Sequence, residues 1–309
     1  MKIVYFGSGA FGLPTIRSLA SEHELLAVVT QPDRKAGRGG HLTPTPIGAW
    51  AAEHAADAPL LKPERVGEAG VCDAIRAFDA DAWVVIAFGQ KLSRALLADR
   101  FAINLHASLL PRWRGAAPIN AAIVAGDRQT GNSAITLADR MDAGLVLGQT
   151  RREVGRTQTA GELHDLLADD GPALVADVLA RHAAGTLKRG TQDEAAVTLA
   201  PKMTKDDGRI SFDEDADRVR CLVNGLSPWP AVTVQFRGQP LKILRADAQQ
   251  AGMERAPGTI IDPALGLVAC APGSALCLLD VQPAGKRPMP WPDFARGRSV
   301  QAGDRLEHE

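Results

Sequence analysis

Four short runs of consecutive apolar residues limit what this chain can fold into more than any other feature. Their apolar residues are continuous rather than alternating, which is typical of strands buried on both faces of a parallel sheet. Intervals with helical spacing separate them and follow them, at 46–56, 70–78 and 161–184. We therefore predict an α/β fold with a Rossmann-like open, mostly parallel sheet. The four runs are 2–6, 25–30, 82–88 and 101–105.

The pattern changes after about residue 211. A helix candidate at 213–223 is followed by short alternating runs separated by turns that contain Gly and Pro. Such short strands in close succession predict a second, smaller β-barrel domain that is OB-like. We place the boundary in the polar stretch 201–208, which gives domains of 1–203 and 204–309. The five expected strands are 231–236, 241–246, 258–261, 266–271 and 275–281.

Composition limits the partners and the compartment. The 35 Lys and Arg residues nearly balance the 36 Asp and Glu residues, so net charge gives no general attraction to nucleic acid or membrane. No apolar run approaches the roughly 20 residues of a membrane span. The cysteines are too widely spaced for a metal or redox motif, which favours structural thiols and a cytoplasmic protein. They are Cys72, Cys221, Cys270 and Cys277.

A glycine turn follows the first run. Gly7-x-Gly9-x-x-Gly12 matches the dinucleotide fingerprint, and Asp33 lies 21 residues beyond Gly12, near where a ribose-binding acid is expected. This pattern permits an NAD-dependent oxidoreductase. The same glycines could serve only to pack the first helix tightly on the sheet, and both interpretations stay open at this point.

Two polar residues end the fourth run. Asn104 and His106 are two positions apart at the carboxyl end of a buried strand, so both side chains project to the same face. One is an amide donor and the other can carry a proton, which suits stabilisation of an oxyanion at the edge where open α/β sheets bind ligands. The alternative is a polar strand end bonded to its own loop.

The segment 104–111, with Asp142 following 38 positions after Asn104, resembles the signature of folate-dependent formyltransferases. Within that family, several further stretches resemble the members that act on methionyl-tRNA. The resemblance covers nearly the whole chain. These further stretches are 31–39, 112–119, 227–230, 258–260 and 282–286.

The resemblance implies transfer of the formyl group of 10-formyltetrahydrofolate to the free amine of methionine on initiator tRNA. It places the catalytic trio at Asn104, His106 and Asp142. Asn104 and protonated His106 would donate to the oxyanion, while Asp142 would stabilise the imidazolium and help to move a proton. The reaction implied requires neither a metal nor a covalent enzyme intermediate, and we expect a monomer.

The resemblance also implies binding residues. A loop of four consecutive residues would contact the folate, and two residues at the end of the third run are candidates for its pocket wall, although core packing explains the phenylalanine equally well. The loop residues are Ser108, Leu109, Leu110 and Pro111, and the wall candidates are Phe88 and Gly89.

Cations for the tRNA are expected on the loop 33–45 and on one turn of the second domain. The resemblance matches Arg38 to the residue that reaches the acceptor end, with Arg34 and Lys35 beside it, although a solvated surface loop is the ordinary explanation of such a run. Lys286 is the expected contact in the second domain, with Arg245 as a further member of a basic face.

The chain departs from the family at 146–148, where Val-Leu-Gly stands in place of Asp-Thr-Gly. A second carboxylate and a hydroxyl are therefore missing beside Asp142. Three other functions stay open from the sequence: formyl transfer to a sugar-nucleotide or ribonucleotide amine, an NAD-dependent oxidoreductase, and an RNA-binding module without catalysis. The last two leave the spacing of Asn104, His106 and Asp142 unexplained.

Overall fold

The computed structural model describes residues 1–36, 40–252, 255–271 and 273–308. They form two compact units, and neither is a single stretch of chain. The boundary at 203/204 is a division of the sequence and stays a prediction. The first unit is Met1–Arg114, Gly131–Arg152 and His164–Thr198, and the second is Gly115–Thr130, Glu153–Leu163 and Leu199–Glu309.

The first unit contains a seven-stranded sheet, whose strands are β1 (Lys2–Gly7), β2 (Glu24–Val29), β3 (Leu60–Leu61), β4 (Ala82–Ile86), β5 (Ala102–His106), β6 (Ser133–Thr136) and β7 (Val146–Gln149). Their order is β7-β6-β5-β4-β1-β2-β3. The strands from β5 to β3 pair in parallel, and β6 and β7 add an antiparallel edge. The predicted mostly parallel sheet is confirmed, and all four apolar runs are strands in it.

The helices predicted from apolar spacing are all present, with ends that differ from the expected ones by three residues at most. Proline at the first or second position begins four of the helices, because its fixed φ suits the first turn and its missing N–H costs nothing there. The α-helices of the described residues are α1 (Leu13–Glu22), α2 (Pro46–His54), α3 (Ala69–Arg76), α4 (Arg94–Leu97), α5 (Pro118–Val124), α6 (Ala160–Ala183), α7 (Ala216–Gly225) and α8 (Trp291–Gly297).

Aromatic packing holds the centre of the first sheet. The ring of Phe6 on β1 lies 5.2 Å from Trp83 on β4 and 5.6 Å from Phe88, the latter edge to face. All three side chains are buried. Because neighbouring residues of a strand point to opposite faces, the complete burial of residues 3–6 of β1 shows that both faces of the sheet are covered.

The second unit contains a seven-stranded sheet with the five predicted strands and two more: β8 (Val232–Phe236), β9 (Gln239–Gln250), β10 (Ile260–Asp262), β11 (Leu267–Cys270), β12 (Ser274–Pro283), β13 (Met289–Pro290) and β14 (Leu306–His308). The order is β10-β11-β12-β9-β8-β14, with β13 beside β12, and every pair is antiparallel. A bridge between Thr259 and Arg305 joins the two edge strands. The sheet therefore curls round as the predicted barrel class requires.

The remaining strands of the described residues are short: Arg34–Ala36, His41–Thr43, Arg114–Gly115, Gln129–Thr130, Arg152–Glu153 and Leu199–Ala200. The first two pair as a hairpin. Across the part of the chain that is described, no helix is both long enough and apolar enough to cross a membrane. The four cysteines are free thiols, and three of them are buried.

The glycine turn after β1 is explained by one buried side chain, Tyr5. An ideal Cβ at Gly12 would lie 2.1 Å from the Tyr5 hydroxyl oxygen, and one at Gly7 would lie 2.5 Å from the Tyr5 ring. The hydroxyl itself donates to the Gly12 carbonyl at 3.2 Å. Two of the three glycines are thus required for packing.

The same turn has already used backbone donors that a dinucleotide would need. The N–H groups of Ser8 and Gly9 both donate to the carbonyl of Ala87, at 3.2 and 3.3 Å. A pyrophosphate binds to free N–H groups of such a turn, so this arrangement favours packing over NAD binding. Asp33, the proposed ribose ligand, forms an ion pair with Lys62 at 2.7 Å.

This packing role predicts the stability of two variants. Gly12→Ala forces a methyl group against the Tyr5 hydroxyl, and we expect a loss of about 1–3 kcal/mol in the free energy of unfolding. In a Tyr5→Phe background the same substitution has no hydroxyl to meet, so its cost falls. Urea unfolding of the two single variants and the double variant measures the difference. An equal loss in both backgrounds would contradict this explanation.

Candidate active site

The strand β5 places two of the three expected catalytic residues. Asn104 pairs with Val85 of β4 on one side and with Ile135 of β6 on the other, and His106 pairs with Ser133 of β6. Residues 102, 103 and 105 of the same strand are buried, so the strand is fixed in the sheet. Asn104 and His106 therefore share one face at the carboxyl end of a central strand.

Asn104 keeps its polar group available. Its side chain is half-buried, and within the described residues its carboxamide forms no hydrogen bond with another protein group. A primary amide has two N–H donors. This side chain can therefore donate to a ligand without first breaking a bond to the protein.

His106 is held on both sides of its ring. Its Nε2 lies 2.9 Å from the carbonyl oxygen of Trp113, which can only accept, so this nitrogen carries a hydrogen. Its Nδ1 lies 3.6 Å from Oδ2 of Asp142, and both side chains are about nine-tenths buried. The distance to Asp142 is beyond a hydrogen bond, and the two groups form an ion pair when His106 is protonated. The third expected residue is therefore next to the second.

Both partners of His106 adopt left-handed backbone conformations. The φ angle is 53° at Asp142 and 62° at Trp113. Residues other than glycine rarely adopt this conformation, and it persists where the surroundings determine it. At Asp142 the turn is pressed onto the end of β6: a Cβ at Gly144 would lie 1.6 Å from the carbonyl oxygen of Thr136. Gly144 is thus required for the close approach that brings Asp142 to His106.

The expected folate loop, Ser108–Pro111, is fastened to the antiparallel edge of the sheet. Ser133 on β6 donates its hydroxyl to the Ser108 carbonyl at 2.6 Å and accepts from the Leu110 N–H at 3.0 Å. The Gln149 amide donates to the Leu110 carbonyl at 3.0 Å. Much of the loop backbone therefore forms hydrogen bonds within the protein. The carbonyl oxygens of Ser108 and Leu110 each keep one lone pair that can accept a hydrogen bond from a ligand.

The side chains of this loop differ in exposure. Leu109 and Pro111 are half-buried and offer an apolar surface, whereas Ser108 and Leu110 are buried. Of the two wall candidates, Phe88 lies in the core with 2% of its surface exposed, as the alternative explanation of this residue anticipated. Gly89 is exposed beside it. A flat heterocycle could therefore rest against Leu109 and Pro111 but could not reach most of Phe88.

The expected tRNA cations differ in availability. Arg34 forms an ion pair with Glu64 at 2.7 Å, whereas exposed Lys35 has no partner among the described residues. Arg38 lies outside the described residues. In the second unit Lys286 is exposed in the turn after β12, but the guanidinium of Arg245 is bound by Glu162 and Asp280. Arg245 as a member of a basic face stays a prediction, and these two carboxylates offset its charge.

Three residues of this site were not anticipated. The Trp113 carbonyl, Ser133 and Gln149 hold His106 and the folate loop. Ser133 and Gln149 lie on β6 and β7, short strands whose apolar pattern is too weak to predict. The departing segment Val-Leu-Gly at 146–148 is part of β7, and Leu147 is buried there. The segment that lacks the family's polar residues is thus ordered by pairing with β6.

The described residues contain no group of three or more His, Cys, Asp or Glu side chains that could hold a metal ion. The site consists of an amide, an imidazole and a carboxylate at the carboxyl edge of the sheet, next to a loop with two partly exposed apolar side chains. Such a set can stabilise negative charge on a carbonyl oxygen and move a proton.

Comparisons with known proteins agree with this chemistry. Residues 1–179 match a family described as formyl transferase, and residues 202–299 match the C-terminal domain of formyl transferases. The methionyl-tRNA formyltransferase of Methylococcus capsulatus is 40% identical over 310 residues, covering 99% of each chain. That of Halalkalibacterium halodurans is 37% identical over 306 residues, covering 97% of this chain and 96% of its own.

Solved structures share the fold at low identity. The sugar 3N-formyl transferase WlaRD superposes with a TM-score of 0.68 at 12% identity, covering 93% of this chain and 99% of its own. HypX from Aquifex aeolicus, solved with tetrahydrofolic acid, superposes with a TM-score of 0.63 at 15% identity, covering 96% of this chain and 47% of its own. On the matches of both halves and on full-length identities near 40%, the chain belongs to the formyl transferase family.

Proposed function

We infer that this protein is a methionyl-tRNA formyltransferase, which transfers the formyl group of 10-formyltetrahydrofolate to the amine of methionine on initiator tRNA. The observation that carries this conclusion is identity of 40% over the whole length with a relative of that name. Since that match extends through the second unit, it covers more than the catalytic machinery common to all formyl transferases.

We propose the following reaction at the trio. The neutral amine of the methionyl group attacks the formyl carbon, and the carbonyl electrons move to the formyl oxygen. The bond from that carbon to N10 of the folate then breaks, the carbonyl re-forms, and N10 takes up a proton. The attacking amine loses one proton in exchange. The barrier therefore depends on how well the transient oxyanion is stabilised.

Asn104 and His106 are the proposed donors to this oxyanion. The Asn104 amide is available, and the Nδ1 of His106 forms no hydrogen bond within the described residues because Asp142 lies 3.6 Å away. The Nε2 hydrogen is already donated to Trp113. Protonated His106 can therefore donate through Nδ1 while the opposite nitrogen keeps the ring fixed.

Asp142 is proposed to stabilise the imidazolium of protonated His106 and to help move the proton that the methionyl ammonium gives up to become the attacking neutral amine. Its carboxylate lies beside the imidazole and is 12% exposed, so the attraction between the two is little screened by solvent. A carboxylate next to a histidine orients the ring and stabilises its charge when the ring is protonated.

The binding surfaces are proposals at two places. We propose that Leu109 and Pro111 rest against the pterin while the carbonyls of Ser108 and Leu110 accept its N–H groups.

We further propose that 1–203 is the catalytic domain and 204–309 the tRNA-binding domain. Lys35 and Arg38, with Lys286, are the proposed contacts to tRNA phosphates. Lys35 is exposed and without a partner among the described residues, which supports its role. A cytoplasmic monomer is the state we propose for this activity.

The function is tested by giving the purified protein 10-formyltetrahydrofolate and charged initiator tRNA. We expect formylmethionine, detected after mild hydrolysis of the ester. An amino sugar nucleotide and a ribonucleotide amine, offered separately, should be poor acceptors. Efficient formylation of either, with no product from the tRNA, would contradict the proposed substrate.

The trio is tested by substitution. Each of Asn104→Ala, His106→Ala and Asp142→Ala should lower kcat by roughly 10²- to 10³-fold, the typical cost of removing a group that stabilises an oxyanion. The rate of formyl transfer at saturating substrates measures this. Asp139→Ala is the matched control, because Asp139 lies three residues before Asp142 but forms an exposed ion pair with Arg94. Wild-type turnover in any trio variant with a normal unfolding midpoint would disprove its role.

The tRNA contacts are tested by salt and by charge removal. Lys35→Ala and Arg38→Ala should raise the KM for tRNA, leave the KM for folate nearly unchanged, and reduce the dependence of the tRNA KM on salt concentration. Arg34→Ala should have a smaller effect because Glu64 already neutralises that guanidinium.

Lys2→Ala serves as the control for this experiment. Lys2 is an exposed cation at the amino end of β1, whereas Lys35 follows the carboxyl end of the neighbouring parallel strand β2. Equal weakening toward folate and tRNA in the Lys35 and Arg38 variants would argue against a loop that faces RNA.

A further inference from the structure

Gln192 anchors the turn that carries Asp142. Its amide nitrogen donates to the Asp142 carbonyl at 2.7 Å and to the Gly144 carbonyl at 2.8 Å. A primary amide has two N–H hydrogens, so both are used on this one turn. The backbone on each side of Ala143 is therefore fixed by a single side chain.

The other end of Gln192 is held by a buried arginine. Arg114 is 3% exposed, and its Nε and Nη2 donate to the Gln192 amide oxygen at 3.0 and 2.8 Å. A guanidinium only donates, so the amide oxygen of Gln192 must face Arg114. The carbonyls of Asp142 and Gly144 only accept, so the amide nitrogen must face them, and this is the same orientation of the amide. This bidentate contact leaves the amide no freedom to turn away from Asp142.

A buried guanidinium is costly unless its charge is paired, and Glu194 supplies the pairing. Its carboxylate accepts from Arg114 at 2.8 Å and from Arg140 at 2.9 Å. The hydrogen bonds from Arg114 and then Arg140 hold the pKa of Glu194 below its usual value. The pair therefore stays ionised, and Arg114 stays in place.

The same segment also fixes the second partner of His106. The Trp113 N–H donates to the Thr198 hydroxyl at 2.9 Å, and the Arg114 N–H donates to the Thr198 carbonyl at 2.9 Å. These bonds lie next to the Trp113 carbonyl that accepts from Nε2 of His106. Residues 192–198, which we call the brace, thus contact the backbone on both sides of the His106–Asp142 pair.

We propose that the brace sets the geometry of the His106–Asp142 pair, with Gln192 and Thr198 as positioning residues for formyl transfer. The inference rests on the proposed function and on the roles given to His106 and Asp142. Neither positioning residue touches the folate loop, which Ser133 and Gln149 hold. Loss of the brace should therefore lower kcat while leaving both KM values nearly unchanged.

Gln192→Glu separates positioning from simple stability. A glutamate keeps the length of the side chain and gains an ion pair with Arg114, but it cannot donate to the carbonyls of Asp142 and Gly144. The second carboxylate oxygen would face these two carbonyls without a hydrogen, so we expect a lower unfolding midpoint. Well below that midpoint, kcat should still be lowered by about 10- to 100-fold, as a misplacement near 1 Å produces. Gln192→Ala should lower kcat similarly and also lower the unfolding midpoint.

Thr198 gives an independent pair of variants. Thr198→Val keeps the shape of the side chain but removes the acceptor for the Trp113 N–H, and kcat should fall. Thr198→Ser retains the hydroxyl and should recover most of the lost rate. If kcat of the two variants follows their unfolding midpoints, whether or not the hydroxyl is present, the role of Thr198 is overturned.

A double-mutant cycle tests whether Gln192 acts through Asp142. In an Asp142→Asn background, Gln192→Glu should cost much less than it costs in the wild type, because there is no carboxylate left to place. The matched control is Asn224→Ala, which removes a buried amide that bonds Ala246 in the barrel, and this variant should lower the unfolding midpoint without changing kcat.

The outcomes separate the two levels of the argument. A Gln192→Glu variant with wild-type kcat, or costs that simply add in the cycle, would overturn the brace and leave the proposed function standing. Failure of the wild-type protein to formylate charged initiator tRNA would overturn both.

Discussion

The imidazole of His106 is fixed between a backbone carbonyl and a carboxylate, and most of the features around it serve to bring those two groups there. Its Nε2 donates to Trp113 at 2.9 Å, and its Nδ1 faces Asp142 at 3.6 Å. Neither Trp113 nor Asp142 lies in a strand or a helix. Both lie in turns with left-handed backbone, which only tight packing around them can maintain.

That packing comes from the antiparallel edge of the sheet. The turn after Arg140 lies against the end of β6 so closely that only glycine fits at 144. The folate loop is bound to Ser133 of β6 and Gln149 of β7. The parallel strands thus supply Asn104 and His106, and the two antiparallel strands hold the loops that complete the site. Polar side chains at this edge of the sheet therefore fix the loop 108–111 beside Asn104 and His106.

Much of this was predictable. Continuous apolar runs predicted four strands of the first sheet, because a strand buried on both faces is apolar at every position. Alternating runs predicted five strands of the barrel, because a strand buried on one face is apolar at every second position. The spacing of Asn104 and His106 likewise required a shared face. The glycine turn was ambiguous, since the glycines that bind a pyrophosphate are the same residues that admit the Tyr5 side chain. The weakly patterned strands β3, β6 and β7 were missed.

The sequence by itself determined the fold class and the family, and it predicted the trio, because each depends on residue types at fixed spacing along the chain. Tertiary structure alone decided which groups act together. The contacts of Gln192 with the Asp142 turn, and of Arg114 with Glu194, join residues 50 and 80 positions apart. The pairing of Arg245 with Glu162 and Asp280 also depends on contacts between residues that are distant in sequence. Pairwise distances between remote side chains follow from how elements pack, and no local pattern in the sequence records them.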